Sequence, residues 1–173
     1  MIDDRTHWYV ACVKSCAERR VADELGRLGY SFYLPVRREL HQWSDRKKLV
    51  ETLVVPRYIF INCTASERQR PLAEIPGMYK YLGVSDGGLF RPAVIPDAEM
   101  DTFISMVEKS GRKVCIENAG LRSGDRVKVI SGPLAGHECE LTDVRGKRCL
   151  AVQISMLGTA IIELDMDDLR KLN

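Results

Sequence analysis

The sequence predicts an α+β protein in which a mainly antiparallel sheet flanked by helices is followed by a small β-barrel. Two observations carry this prediction. Over roughly the first 110 residues, alternating apolar stretches and stretches with helical spacing follow one another in the order β-α-β-β-α-β-β-α. Over roughly the last fifty, short alternating strands are separated by glycine-containing turns, which is typical of a small barrel.

Length and composition exclude several classes of protein. The chain has 173 residues, enough for one medium or two small domains, with 45% apolar and 29% charged residues. A net charge of +2 argues against a disordered tail and against a protein that coats nucleic acid through bulk charge. No apolar run is long enough for a transmembrane helix, and the first ten residues lack the order of a signal peptide. We therefore expect a cytoplasmic protein with no membrane partner.

The predicted head begins with a strand and a helix. The apolar run from His7 to Val13 predicts the strand. Ser15 and Glu18 have the spacing of a capping box, which predicts the start of the helix, and Gly29 predicts its end. Alternating apolar residues then predict a second strand from about Ser31.

A polar, basic segment interrupts the head. Residues 37–48 carry a local excess of positive charge around Trp43, which predicts a long exposed hairpin. The apolar stretch after it is broken by Pro56, which cannot donate a ladder hydrogen bond and therefore marks an edge, a bulge or a strand start. Residues 58–61 are predicted to form a central strand.

The rest of the head contains two more helices and two more strands. Residues 66–75 predict a short helix ended by a Pro-Gly pair, followed by strands over 78–83 and 89–95. Pro96 then opens a helix with acidic residues near its N-terminus, as the helix dipole favours.

A polar stretch without periodicity separates the two parts of the chain. We interpret residues 111–120 as a linker between a head domain, residues 1–110, and a tail domain, residues 121–173. Residues 167–172 predict a closing turn. The predicted tail strands are 125–130, 137–144, 149–154 and 159–164.

No motif for catalysis or metal binding stands out. The six cysteines form no Cys-x-x-Cys pair, and those beside apolar runs are interpreted as small buried hydrophobic residues. His7, His41 and His137 lie far apart in sequence, and no nucleophile elbow, phosphate loop or zinc-protease motif is present. The sequence therefore predicts a protein that is not an enzyme and needs no cofactor or metal.

Segments in both parts of the chain resemble the motifs of one known family. The run from Trp8 to Val10, the Pro-Arg-Tyr-Ile-Phe-Ile run from Pro56 and the Ile-Pro-Gly-Met run from Ile75 resemble an NGN domain. The tail resembles a KOW motif at Gly124, Asp125, Val127, Val129, Gly132, Pro133 and Gly136. An NGN domain followed by an SH3-like KOW β-barrel is similar to NusG-like transcription elongation factors. The Pro-Arg-Tyr-Ile-Phe strand and the Gly-Pro-Leu-Ala-Gly turn look more like specialised paralogues of the UpxY type, which are antiterminators of long operons such as capsular polysaccharide loci.

The resemblance implies a first partner for the head. In this family the NGN domain binds the clamp helices of the RNA polymerase largest subunit and promotes processive elongation, and an aromatic-rich apolar groove suits a helical partner. Because alternate residues of a strand face opposite ways, some residues of such a set are expected to be sheet core instead. The polymerase-binding residues implied by motif position are Trp8, Tyr9, Cys12, Pro56, Tyr58, Phe60, Ile75 and Met78.

The resemblance also implies contact with the non-template DNA strand. Guanidinium groups pair with phosphate or stack on unpaired bases, whereas the alternative is a solvated charged surface. The implied DNA-binding residues are Lys14, Arg19, Arg20, Arg68, Gln69 and Arg70. Trp43 either stacks on a base at the hairpin tip or lies back over the sheet.

For the tail, the resemblance implies a further partner such as a ribosomal protein or the termination factor Rho. The alternative function is a translation-associated, KOW-containing RNA-binding protein, which accounts for the tail but not for the aromatic residues of the head.

Overall fold

The computed structural model describes residues 5–117 and 124–164. The chain divides into two compact units, residues 1–35 with 55–97 and residues 36–54 with 98–173. The basic hairpin and the last helix of the predicted head therefore group with the tail, and the division differs from the predicted boundary at residue 110.

The described elements follow the predicted order closely. Up to residue 95 they are β1 (His7–Val13), α1 (Glu18–Arg27), β2 (Ser31–Tyr33), β3 (Val36–Gln42), β4 (Lys47–Leu53), β5 (Tyr58–Cys63), α2 (Gln69–Glu74), β6 (Met78–Tyr81), β7 (Gly83–Asp86), β8 (Leu89–Pro92) and β9 (Val94–Ile95). They continue with α3 (Asp97–Lys109), β10 (Val114–Glu117), β11 (Asp125–Lys128), β12 (Glu138–Val144), β13 (Lys147–Ile154) and β14 (Gly158–Glu163). The predicted strand over 89–95 is divided between β8 and β9. The fold is rich in antiparallel sheet and has few helices.

The first unit is built around β1. The strand order is β2-β5-β1-β6, and β9 also pairs with β1. All of these pairings are antiparallel. β5 pairs with β1 on one side and β2 on the other, so it is a central strand, as its apolar sequence predicts. Ala11 and Val13 of β1 and Val21 and Leu25 of α1 lie in one core beneath the sheet.

The predicted capping box does not form at the start of α1. The N-cap residue is Ala17 and makes no side-chain capping bond, and Ser15 lies outside the helix. The Glu18 carboxylate instead accepts a hydrogen bond, 2.9 Å long, from the backbone N–H of Arg57. Arg57 has a φ of +71°, so the chain turns sharply there and presents its N–H to the helix.

The predicted end of α1 at Gly29 is confirmed. Gly29 has a φ of +80°, a conformation that glycine adopts without steric cost. Its N–H donates to the Gly26 carbonyl and the Tyr30 N–H donates to the Leu25 carbonyl, which is the hydrogen-bond pattern of a Schellman motif.

The tail sheet, defined as β10 to β14, has the strand order β10-β14-β13-β12-β11 with antiparallel pairing throughout. The structure differs from the predicted linker at Val114–Glu117, where β10 pairs with β14. Four residues are too few for a periodic signal to stand out among charged neighbours, yet Val114 is buried in the result. The predicted closing turn at 167–172 lies outside the described residues.

The helix α3 has both apolar and polar buried side chains. Met100 and Phe103 are buried, and Thr102 is buried as well. The Thr102 hydroxyl lies 3.2 Å from Nδ1 of His137, and the Ser155 hydroxyl donates to the Glu99 carboxylate at 3.4 Å. The helix is therefore attached to the loops of the tail sheet.

Candidate functional site

The sheet of the first unit has two apolar faces, which its strand alternation separates. Tyr9 and Ala11 of β1 and Ile59 and Ile61 of β5 belong to the core beneath α1 and α2. The residues between them must therefore point to the opposite side of the sheet. This opposite side, the aromatic face, consists of Trp8, Val10, Cys12, Tyr33, Tyr58 and Phe60.

Cross-strand pairing brings the residues of the aromatic face together. Val10 lies opposite Phe60 and Cys12 lies opposite Tyr58 in the β1–β5 ladder. Phe60 also pairs with Tyr33 of β2, and the two ring centroids are 6.4 Å apart in a tilted arrangement. Such neighbouring rings at one level of a sheet form a continuous apolar surface.

Exposure divides the aromatic face further. Trp8 and Tyr58 are half-buried, whereas Val10, Cys12 and Phe60 are buried. Burial raises the pKa of the Cys12 thiol, which outweighs the opposing effect of the nearby Lys80 and Arg57 cations. Cys12 is therefore a neutral thiol that packs as a small apolar group.

The other residues of the predicted polymerase-binding set lie elsewhere. Tyr9, Ile75 and Met78 are buried in the core beneath the helices, so their side chains hold α1 and α2 on the sheet. Pro56 is exposed and precedes the turn at Arg57. The structure thus brings together Trp8, Cys12, Tyr58 and Phe60 of that set and separates them from the remainder.

Tyr9 is fixed by aromatic and cationic neighbours. Its ring meets that of Tyr81 edge to face, with the centroids 5.9 Å apart, and the Arg68 guanidinium lies 5.8 Å from its centroid. The Tyr81 hydroxyl donates to the Arg68 carbonyl at 2.7 Å, and burial raises the pKa of Tyr81. Arg68 is therefore integrated into the packing of the first unit.

The predicted DNA-binding residues fall into two groups. Lys14, Arg19 and Arg20 are exposed at the start of α1, where the Lys14 N–H donates to the Gly77 carbonyl and Arg20 Nη2 lies 3.4 Å from the Pro76 carbonyl oxygen. The second group, Arg68, Gln69 and Arg70, lies at the start of α2. There Arg68 is half-buried against Tyr9, and Arg70 donates to the Glu74 carboxylate at 2.8 Å. The first group is the more exposed cationic surface.

The KOW-like residues form a strand and a tight loop in the tail. Val127 is half-buried on β11, Val129 is buried after it, and Asp125 is exposed. Gly132 and Gly136 have φ values of +83° and +90° on either side of the exposed Pro133 loop. A Cβ atom on Gly124 would lie 2.1 Å from the Leu141 carbonyl oxygen, so only glycine fits where these strands approach.

Val10 and Tyr33 belong to the aromatic face although the sequence did not identify them as site residues. Val10 could have been found, because it alternates with Trp8 and Cys12 along β1. Tyr33 lies on a three-residue strand, and only its pairing with Phe60 places it on this face.

The described residues contain neither a metal-binding cluster nor a membrane-spanning helix. Within residues 5–117 and 124–164, no group of three or more His, Cys, Asp or Glu side chains is arranged to hold a metal ion. No helix in those same ranges has the length and apolar character needed to span a membrane.

A known family matches a segment that includes nearly all of the first unit and the first part of α3. A sequence model described as transcription termination factor NusG matches residues 6–104, which is more than half of the chain. The chain belongs to the NusG family. Members of this family are transcription termination and antitermination factors rather than enzymes.

Individual NusG proteins are similar at low identity. The transcription termination/antitermination protein NusG of Vibrio cholerae is 24% identical over 181 residues, which covers 98% of this chain and 97% of the relative. The NusG protein of Thermus thermophilus is 26% identical over 139 residues, covering 74% of this chain and 72% of the relative. Among solved structures, one described as domain interaction in Thermotoga maritima NusG aligns with 91% of this chain and 92% of its own, at 22% identity and a TM-score of 0.47.

Proposed function

We propose that this NusG-family protein is a cytoplasmic elongation and antitermination factor that binds the clamp helices of the RNA polymerase largest subunit through its aromatic face. The observation that carries the proposal is the surface made by Trp8 and Tyr58. Both are half-buried aromatic side chains with a polar atom, beside a buried apolar floor of Val10 and Phe60. Aromatic anchors of this kind dominate binding at helix-in-groove interfaces.

A division of labour within the chain is part of the proposal. The head, residues 1–110, acts as an NGN domain that holds polymerase, residues 111–120 join the two parts, and residues 121–173 act as a KOW domain for a second partner. The proposed second partner is a ribosomal protein or the termination factor Rho. The loop between β11 and β12 supports the KOW assignment. Gly132 and Gly136 have positive φ angles, which favour glycine at these two positions of the motif.

The DNA-contacting surface is proposed at the start of α1. Lys14, Arg19 and Arg20 are exposed on neighbouring positions there, where they can pair with phosphates of the non-template strand. Arg68, Gln69 and Arg70 are proposed as a secondary part, since Arg68 is half-buried and the charge of Arg70 is paired with that of Glu74. We further propose that the protein is a specialised paralogue of the UpxY type, acting on long operons such as capsular polysaccharide loci.

Binding of the full chain to core RNA polymerase tests the proposal. Tyr58→Ala is expected to weaken binding by tenfold or more, about 1.4 kcal/mol, because truncation removes an aromatic anchor. Phe90→Ala is the matched control, since Phe90 is an exposed aromatic residue on β8 outside the aromatic face. A folded Tyr58→Ala protein that binds polymerase as well as the control would refute the site.

Chromatin immunoprecipitation tests the operon assignment. A specialised factor is expected at one or a few long operons, whereas occupancy of all transcription units would show a general factor. A pull-down with the full chain tests the alternative function. Recovery of ribosomal RNA without polymerase subunits would support the translation-associated alternative.

A further inference from the structure

A groove with a volume of about 500 Å³ opens on the tail sheet. Its floor is formed by Cys115, Val144, Cys149 and Ile161, which pack together across four strands. Cys115 pairs with Ile161 on β14, and Ile161 pairs with Ala151 on β13, so these side chains share one face of the sheet. The floor is aliphatic and thiol in character, and a groove of this volume is in the range of ligand sites.

The rim of the groove is positively charged. Five basic side chains line it against two acidic ones, which leaves three positive charges at one place in a chain whose total net charge is +2. The lining basic residues are Arg37, Arg112, Lys113, Arg145 and Lys147, and the acidic ones are Glu117 and Glu163.

The two acidic residues of the rim are already paired. Arg145 Nη2 lies 3.4 Å from Glu117 Oε1, and Lys147 Nζ lies 2.8 Å from Glu163 Oε1. The Arg112 guanidinium donates to the Glu163 backbone carbonyl at 3.2 Å. Arg37 Nη1 lies 3.2 Å from Glu39 Oε1, so the positive charge that no carboxylate of the rim or of Glu39 offsets is that of Arg112 and Lys113. A ligand with negative charges is its electrostatic complement.

The floor distinguishes between two kinds of polyanion. Proteins that bind single strands combine a basic groove with aromatic rings on which the unpaired bases stack, and no aromatic side chain is among the groove's described lining residues. Aliphatic side chains of a peptide gain from burial on Val144 and Ile161 without needing such a ring. In an extended peptide alternate side chains point to opposite sides, so apolar residues meet the floor while flanking carboxylates lean toward the rim.

We propose that this groove binds an extended acidic segment of a partner protein, in which aliphatic residues alternate with aspartate or glutamate. Lys113 lies just before β10 and Arg145 lies in the turn between β12 and β13. Both line the groove and supply charge that holds the carboxylates. The site goes beyond the proposed polymerase contact, because it uses only residues of the tail sheet, the segment before β10 and the β3 residue Arg37.

The test uses the full chain and three fluorescent probes measured by anisotropy. The probes are a short peptide of alternating leucine and aspartate, the same peptide with lysine in place of aspartate, and a single-stranded oligouridylate. The aspartate peptide is expected to bind, with an affinity that falls as salt rises, and the lysine peptide is expected not to bind. Tighter binding of the oligouridylate than of the aspartate peptide would overturn the proposal.

Charge reversal locates the site. Lys113→Glu with Arg145→Glu is expected to weaken binding of the aspartate peptide by about tenfold or more. The matched control is Arg126→Glu with Lys128→Glu, which reverses two exposed charges on β11 of the same sheet and is expected to change binding less than about twofold. Equal effects of the two double variants would overturn the assignment to this groove.

Amide chemical shifts provide a readout that does not depend on the variants. Titration with the aspartate peptide is expected to shift the amide signals of Lys113, Cys115 and Lys147 more than those of β11. Absence of any shift at about 1 mM peptide, the weak limit of specific association, would overturn the proposal. A second outcome would also overturn the proposal. If the aspartate peptide bound a chain shortened to end at Leu164 but not the full chain, the last residues of the full chain would be what occupies the groove.

Discussion

Glu18 is a carboxylate with only 4% of its surface exposed, and its partner is the backbone N–H of Arg57, 39 positions away in the chain. The bond joins the first turn of α1 to the sharp turn before β5. Arg57 lies outside the strands with a positive φ, and its N–H is satisfied by the Glu18 side chain and not by a sheet ladder.

Glu18→Ala is expected to lower the free energy of unfolding by about 1–3 kcal/mol, because it leaves the Arg57 N–H without its acceptor. Glu24→Ala on the same helix is the control, since Glu24 pairs with the exposed Arg27 and such surface pairs contribute at most about 1 kcal/mol. Urea denaturation of both proteins measures the difference. Equal stability of the two variants would show that the buried hydrogen bond contributes nothing specific.

Sequence patterns could identify Glu18 as a helix-start residue but not its partner. The capping box is a local pattern, and the sequence contains nothing that says a distant N–H competes for the same carboxylate. The same limit applies to Tyr9. Tyr9 and Trp8 are neighbouring aromatic residues on β1, and only the packing of the helices shows that Tyr9 faces the core.

At the scale of elements, the start of α1 presents three exposed basic side chains, Lys14, Arg19 and Arg20. Lys14→Glu with Arg19→Glu is expected to weaken binding to an elongation complex with a single-stranded non-template region by about tenfold, because two phosphate contacts are replaced by repulsion. Binding to core polymerase without DNA is expected to stay within about twofold, since the aromatic face is unchanged. Filter binding measures both affinities, and terminator readthrough measures their consequence for transcription.

Arg126→Glu with Lys128→Glu serves as the control for this experiment too, because it makes the same change of charge on β11. If both double variants reduce readthrough equally, the effect comes from net charge and the α1 surface is not a DNA contact.

The elements themselves could be predicted well where their periodicity was long. The positions of β1, β5 and α3 follow from runs of apolar residues at the right spacing, and the basic hairpin follows from its charge pattern. β10 could not be predicted, because its four residues gain their stability from pairing with β14, which lies more than forty residues later. The aromatic face needed strand pairing as well as strand positions.

At the scale of the whole molecule, the two compact units do not follow the boundary expected from sequence. A fragment of residues 121–173, the tail as predicted, lacks β10 and leaves β14 at the edge of the sheet. A fragment of residues 98–173 keeps β10, the buried Val114 and the hydrogen-bonding partner of His137 on α3.

The fragment 98–173 is therefore expected to unfold cooperatively and to be more stable than 121–173 by about 2–4 kcal/mol, from the lost strand pairs and buried valine. Thermal unfolding followed by circular dichroism measures both. A fragment of residues 111–173 is the control that separates the effect of β10 from that of α3. Equal stability of 111–173 and 121–173 would contradict a structural role for β10.

The central place of β1 has a consequence for synthesis of the protein. Among the described strands β1 is made before its partners β5, β6 and β9, which end at residues 63, 81 and 95. At bacterial or eukaryotic translation speeds of about 5–20 residues per second, this apolar strand waits for several seconds before its last partner has been made. We therefore expect the run Trp-Tyr-Val-Ala-Cys-Val to stay unpaired during part of synthesis, and slower translation of the following segment to lengthen its exposure.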